Sequence, residues 1–320
     1  MTATIESKDI NIVRTYDAPL RAVWDAWTDP EQVARWWGPR GFTLTTYDKD
    51  LRSGGSWTYT MHGPDGTDYP NKTLYLDVEP MARLVYDHGG NDDRPALFRV
   101  TVLFTEADGK THMDMTMHFP DAAAARQAAV FIRQAGGNAT WDRLAEYLAR
   151  RWLDQECFVI NRSFDVPRER MFDMWTTPTH LAQWIGPAGC ETRFLRADIP
   201  PGDSTQFCTT GAGIALYALA HCEEIRRPDR IVYTQQFCDE HEHVACHPLA
   251  PVWPAIMRTI VELTAEGLQR TRVTITSCIG GQATTAELAA FVNARGGMAQ
   301  GWTGSFDKLE AVLARPLCGR

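Results

Sequence analysis

Residues 16–39 read YDAPLRAVWDAWTDPEQVARWWGP, and residues 164–187 read FDVPRERMFDMWTTPTHLAQWIGP. The offset is 148 throughout, without a gap, and ten of the 24 positions are identical. Asp17, Pro19, Trp27, Thr28, Pro30, Trp36, Gly38 and Pro39 recur as Asp165, Pro167, Trp175, Thr176, Pro178, Trp184, Gly186 and Pro187. This period is too long for a solenoid unit, so the pattern reads as one domain written twice. The correspondence continues beyond the opening stretch. Arg83-Leu84-Val85-Tyr86 matches Arg230-Ile231-Val232-Tyr233 at offset 147, and Trp141-Asp142-Arg143-Leu144 matches Phe306-Asp307-Lys308-Leu309 at offset 165. The growing offset places the extra residues of the second copy chiefly around 238–254. Two domains are expected, 1–152 and 153–320, on a link of a few residues. A duplicated domain on so short a link is expected to pack as an internal pseudo-dimer, by analogy with two-fold oligomers.

Residues 9–16, DINIVRTY, alternate and are rich in β-branched and aromatic side chains, which predicts a strand. Leu20, Val23, Trp24 and Trp27 then fall at i, i+3, i+4 and i+7, one apolar helix face. Pro30 suits the first position of a second, short helix that stops at Gly38-Pro39. Six strands follow near 42–49, 56–62, 72–79, 82–88, 97–106 and 110–118, with Asp108-Gly109 the clearest hairpin signal. An Ala-rich helix starts at Asp121, is interrupted at Gly136-Gly137-Asn138 and resumes to about residue 152. The second copy repeats the order and ends on a helix near 284–314. Consecutive strands with hairpin breaks predict an antiparallel sheet that buries one face. A long C-terminal helix is its natural cover, which gives an α+β architecture in each half.

The bulk numbers exclude several classes. Apolar residues are 44% and charged residues 22%, as in ordinary globular chains. A net charge of -8 argues against a nucleic-acid partner, which needs a basic face. It gives no help to binding an anionic membrane. No apolar run approaches the roughly 18 residues of a membrane span. The start, MTATIESKDI, lacks the basic and apolar segments of a signal peptide, so a cytoplasmic location is expected. All eight cysteines lie between Cys157 and Cys318. A disulfide framework would be expected in both copies of a duplicated domain, so the eight are expected to be unbridged thiols.

The opening strand, the two short helices ending W-x-G-P, Gly54-Gly55, Glu79-Pro80 before Arg83, and the L-x-x-L-A helix together resemble the START-like, helix-grip superfamily, SRPBCC. More narrowly they resemble homologues of the heat-shock-protein ATPase activator. The second half adds Asp239-Glu240, the run from His247 to Pro254, and Gly301-Trp302-Thr-Gly. The resemblance implies tandem helix-grip domains, each a curved antiparallel sheet wrapped around a long C-terminal helix with a cavity between them. Members of the superfamily include lipid and polyketide binders, cyclases, hydrolases and chaperone regulators. The motif tryptophan present as Trp302 falls at Gly137 in the first copy, so the two cavities are expected to differ.

Candidate ligand-lining residues follow from this. In the first copy they are Trp57 and Tyr59 on one strand face, Met115 within the Met113/Met115/Met117 stripe, and Trp36. In the second they are Trp184, Thr205, Phe207, His221, Gln235 and Trp302. Core packing is the competing reading for the apolar members. Trp36 and Trp184 either close a pocket or anchor the short helix. Asp77 with Arg83, and Glu224 with Arg230, read as acid–base groups or as cross-strand ion pairs. The cluster His241, His243, Cys246 and His247 reads as a metal site or as a polar loop, with the loop preferred and no metal assigned. His62 could orient a ligand. No catalytic residue stands out, and there is no phosphate loop or dinucleotide fingerprint to imply a cofactor. The expected function is binding of a small, mostly apolar organic molecule. The rivals are a cyclase, dehydratase or hydrolase of the same fold, and a chaperone ATPase regulator.

Overall fold

A computed structural model describes residues 7–90, 94–134, 139–197, 201–211 and 213–315. The chain divides into two compact units, Met1–Gln155 and Glu156–Arg320. The first unit opens with β1 (Asp9–Tyr16), α1 (Leu20–Thr28) and α2 (Pro30–Val33). Then come β2 (Thr43–Lys49), β3 (Ser56–His62), β4 (Asp68–Glu79), β5 (Arg83–Gly90), β6 (Phe98–Ala107) and β7 (Lys110–His118). It closes with α3 (Ala122–Gln134) and α4 (Ala139–Trp152). The second unit runs β8 (Cys157–Phe164), α5 (Arg168–Thr176), α6 (Pro178–Leu181), β9 (Glu191–Ala197), β10 (Ser204–Gly211), β11 (Ile214–Arg226), β12 (Arg230–Cys238), β13 (Met257–Ala265), β14 (Thr271–Ile279) and α7 (Thr285–Leu313).

Each unit is one seven-stranded antiparallel sheet. The orders are β1-β7-β6-β5-β4-β3-β2 and β8-β14-β13-β12-β11-β10-β9. A meander whose first strand returns beside its last curls the sheet, and the C-terminal helix fills the concave face. In the second unit that helix is a single element of 29 residues. It starts on a capping box, with Thr284 Oγ1 accepting from the Glu287 backbone N–H and Glu287 accepting from that of Thr284. In the first unit the C-terminal helical stretch is described as α3 and α4, and the intervening 135–138, where the sequence predicts the Gly136-Gly137-Asn138 interruption, lie outside the described residues.

The W-x-G-P motif has a mechanical explanation in both copies. Trp36 and Trp184 are fully buried. Their indole N–H groups donate to the carbonyls of Ala26 (3.0 Å) and Met174 (3.1 Å), one helix back. Both therefore staple the two short helices together. Gly38 and Gly186 follow at φ +91° and +103°, a region that favours glycine. The grip helix then clamps this turn. Arg143 donates to the carbonyls of Trp37, Gly38 and Pro39 at 3.2, 2.9 and 2.8 Å. Lys308, its repeat equivalent, donates to those of Ile185 (3.4 Å) and Cys190 (3.2 Å).

One expectation is overturned here. Cys157 and Cys278 form a disulfide, with Cα atoms 4.4 Å apart. They face each other in the β8–β14 register, so strand pairing itself brings the thiols together. Their counterparts in the first copy are not cysteines, which is why comparing the two copies hid the bridge. Cys190, Cys208, Cys222, Cys238 and Cys246 are free.

Candidate functional site

The second unit holds a cavity of about 450 Å3 between sheet and helix. Its walls include Trp175 of α5, the turn at Ile185-Gly186-Pro187, and Thr205 and Phe207 of β10. Cys222 of β11, Tyr233 and Gln235 of β12, and Trp302 of α7 complete them. The space has two origins. On α7, Gly297, Gly301 and Ser305 recur every four residues, so the helix shows its least bulky stripe to the sheet. On the sheet and the turn that closes it, the second copy is smaller than the first at matched positions. Ile185, Thr205, Phe207 and Cys222 stand where the first copy has Trp37, Trp57, Tyr59 and Tyr75.

Those larger side chains pack against one another in the first unit. Trp57 stacks on Tyr59 with centroids 4.0 Å apart, Trp37 meets Trp57 at 5.3 Å, and Trp27 stacks on Trp141 at 5.3 Å. Trp36, Trp57, Tyr59 and Met115 are at most 2% exposed. They belong to a continuous aromatic and methionine core. Neither cavity described here includes them.

The polar groups of the second-unit cavity are neutral. Thr192 and Thr209 hydrogen-bond to each other at 3.0 Å, and Ser305 donates to the Gly301 carbonyl at 3.1 Å. Burial pushes the Tyr233 hydroxyl up to about 12, against a hydrogen bond with Thr259 that acts the other way. Burial likewise raises the Cys222 thiol. The buried Nε1–H of Trp175 has no hydrogen-bond acceptor among the described residues. Among the described residues the lining contains no Asp, Glu, His, Lys or Arg.

Thr205, Phe207, Gln235 and Trp302 therefore meet around one space. Trp184 lies behind it, edge-on to Trp175 at 4.6 Å. His221 is a correction. It is exposed and sits beside Ser204 on the outer face of the sheet, its Nδ1 3.3 Å from Ser204 Oγ. The register explains this, since Ala220 pairs with the inward Thr205 and the next residue must point outward. Sequence reading missed Trp175, Ile185, Cys222, Gly297 and Gly301. The four-residue spacing of Gly297 and Gly301 on one helix was the signal available for the last two.

The other candidates fall on outer surfaces. Arg83 pairs with Asp77 across β4 and β5, and Arg230 pairs with Glu224 (3.3 Å) and Glu262 (2.9 Å). Thr45, His62 and Asp68 form a hydroxyl–imidazole–carboxylate chain with contacts of 2.9 and 2.6 Å, beside neither described cavity. Asp239 organises the histidine-rich loop by accepting from the backbone N–H groups of His241 and His243. Among the described residues no three His, Cys, Asp or Glu side chains are arranged to hold a metal. Among the described residues no helix is long and apolar enough to cross a membrane.

His88 is the first-unit counterpart of Gln235, and its buried Nδ1 has no hydrogen-bond partner among the described residues. Burial lowers its pKa from 6.5 to about 4. The unfolded chain then binds a proton that the folded one refuses. Stability is complete above about pH 6.5 and is lost as pH falls toward 4, by up to about 3 kcal/mol. We expect urea midpoints to drop between pH 7 and 5. His88→Gln, which installs the residue of the second copy, should flatten that drop; an unchanged slope would exonerate His88.

A curved antiparallel sheet gripping a C-terminal helix defines the helix-grip class, here present twice in tandem. The family model for Activator of Hsp90 ATPase homolog 1-like proteins matches residues 17–149 and again 165–314, and the chain belongs to that family. Solved structures with similarity include a Staphylococcus epidermidis protein at 28% identity, covering 47% of this chain and 95% of its own, TM-score 0.41. A Nitrosomonas europaea protein is 22% identical over 45% of this chain and 95% of its own, TM-score 0.41. The di-domain ARO/CYC BexL from the BE-7585A biosynthetic pathway is 13% identical over 97% of this chain and all of its own, TM-score 0.37. No protein of curated function matches.

Proposed function

We propose that the second unit binds a small, mostly apolar, uncharged organic molecule in its cavity. The carrying observation is the lining itself: aromatic and aliphatic walls, a few neutral hydrogen-bonding groups, and no charged side chain among the described residues. A cavity of about 450 Å3 falls in the range of small-molecule sites. The family fold is one that binds hydrophobic ligands. Proton-transfer catalysis in the same space is the weaker reading. It needs a group that titrates near neutrality, and both Tyr233 and Cys222 are held protonated there.

The test is a titration with the neutral, environment-sensitive dye Nile red. Gly297 faces the cavity, and a Cβ placed on it meets nothing within 4 Å. Gly297→Leu should fill the space while its better helix propensity offsets strain, by about 0.8 kcal/mol. Dye binding should fall at least about fiftyfold, more than 2 kcal/mol, with no loss in the melting temperature. Equal binding by the two proteins, or none by the parent, would remove the proposal.

A further inference from the structure

Tyr233, Gln235, Met298 and Trp302 form a wall shared with a second, smaller cavity of about 190 Å3. This chamber lies over the inner face of β12, β13 and β14. The register sets Tyr233 opposite Thr259 and Thr259 opposite Ser277, so three hydroxyls run in a row across three strands. Thr259 is the polar neighbour that acts on the Tyr233 hydroxyl, and the Thr259 and Ser277 oxygens lie 3.0 Å apart. Thr259 and Ser277 are both buried.

The same row in the first unit is Tyr86, Val100 and Met117. Tyrosine is common to both rows, but Val100 and Met117 stand where the second copy has Thr259 and Ser277, so the fold does not require those two hydroxyls. Burying them carries a cost that internal pairing only partly offsets. The one hydrogen bond between Thr259 and Ser277 uses one of the three hydroxyl protons, which leaves donors and several lone pairs for another partner. Trp253 and Pro254 line the chamber from the segment between β12 and β13. There the offset between copies grows from 147 at Tyr233 to 159 at Thr259. The closing segment and the Thr259 and Ser277 hydroxyls are therefore both features of the second copy.

We infer that the smaller chamber is a recognition subsite for a neutral oxygen-bearing group, a ketone or a hydroxyl, on a ligand whose aromatic body occupies the main cavity. The row of Tyr233, Thr259 and Ser277, with the Gln235 amide beside it, supplies the hydrogen bonds. This rests on the cavity reading above. A carboxylate is a poor fit, because among the described residues neither lining offers a cation to offset its desolvation. Met298 stands in the shared wall, and its unbranched thioether can turn aside for a ligand that spans both chambers.

Three fluorescent probes separate the possibilities: the ketone prodan, the parent dimethylaminonaphthalene that lacks the carbonyl, and the matching naphthoate. The wild-type protein should bind the ketone about tenfold more tightly than the parent, with the naphthoate weakest. Thr259→Val/Ser277→Ala should bring the ketone down to the level of the parent and leave the parent unchanged. Thr259→Val alone, which copies the first unit, carries the test if the double variant melts early. Equal affinity for ketone and parent in the wild type, or equal weakening of both in the variant, overturns the subsite while the cavity reading stands. Binding of no probe to the wild type overturns both.

Discussion

Thr205→Trp is expected to abolish ligand binding, by at least about a hundredfold, while the protein still folds. Its reciprocal, Trp57→Thr, is expected to destabilise the first unit by about 3–5 kcal/mol. The two residues occupy the same place in the two copies, 148 positions apart. Thr205 lines the open cavity. Trp57 fills the corresponding space, stacked on Tyr59 and capped by Lys49 Nζ at 4.0 Å from its ring. Overpacking a filled core costs about 1–3 kcal/mol, but the indole at position 205 enters existing space. Its penalty is therefore in affinity rather than in stability. Nile red titration and calorimetry measure the two effects separately. Retained binding in a folded Thr205→Trp protein would move the site elsewhere. A Trp57→Thr protein as stable as the parent would show that the first core is not close-packed.

The internal repeat made the fold legible, because two copies constrain one another. Residues 16–39 gave strand, helix and turn together, and the structure adds why the motif is written that way: Trp36 and Trp184 reach back to helix carbonyls, and Arg143 or Lys308 holds the turn. The site was legible only in part. Alternation along β10 put Thr205 and Phe207 inward together. His221 failed because its facing depends on register with β10, which one strand alone does not reveal. The cavity itself is a difference of volumes between copies, visible at Trp57 against Thr205 only once both are known to face the same helix. Pairing of Cys157 with Cys278 required the β8–β14 register, which sequence spacing does not supply.

Glu146→Ala is expected to destabilise the first unit by about 3 kcal/mol and to pull its melting away from that of the second. Arg40 follows the W-x-G-P turn and meets Glu146 of α4 in a two-pronged pair at 2.7 and 3.0 Å. Their side chains are only 17% and 7% exposed. This is a buried pair, for which removing one partner strands the other charge, rather than a surface pair worth about 0–1 kcal/mol. Arg143, one turn earlier on α4, feels the positive charge of Arg40, so removing the carboxylate also leaves two guanidinium groups facing each other. The buried Asp142 softens this, which places the estimate at the low end of the range. The second copy has Ala188 and Ala311 at the matched positions, so the fold does not need the pair. Arg40→Met/Glu146→Leu should accordingly recover most of the loss. Calorimetry should resolve two transitions for Glu146→Ala and bring them back together in the double variant. A Glu146→Ala protein within about 0.5 kcal/mol of the parent would place the pair among solvated surface contacts.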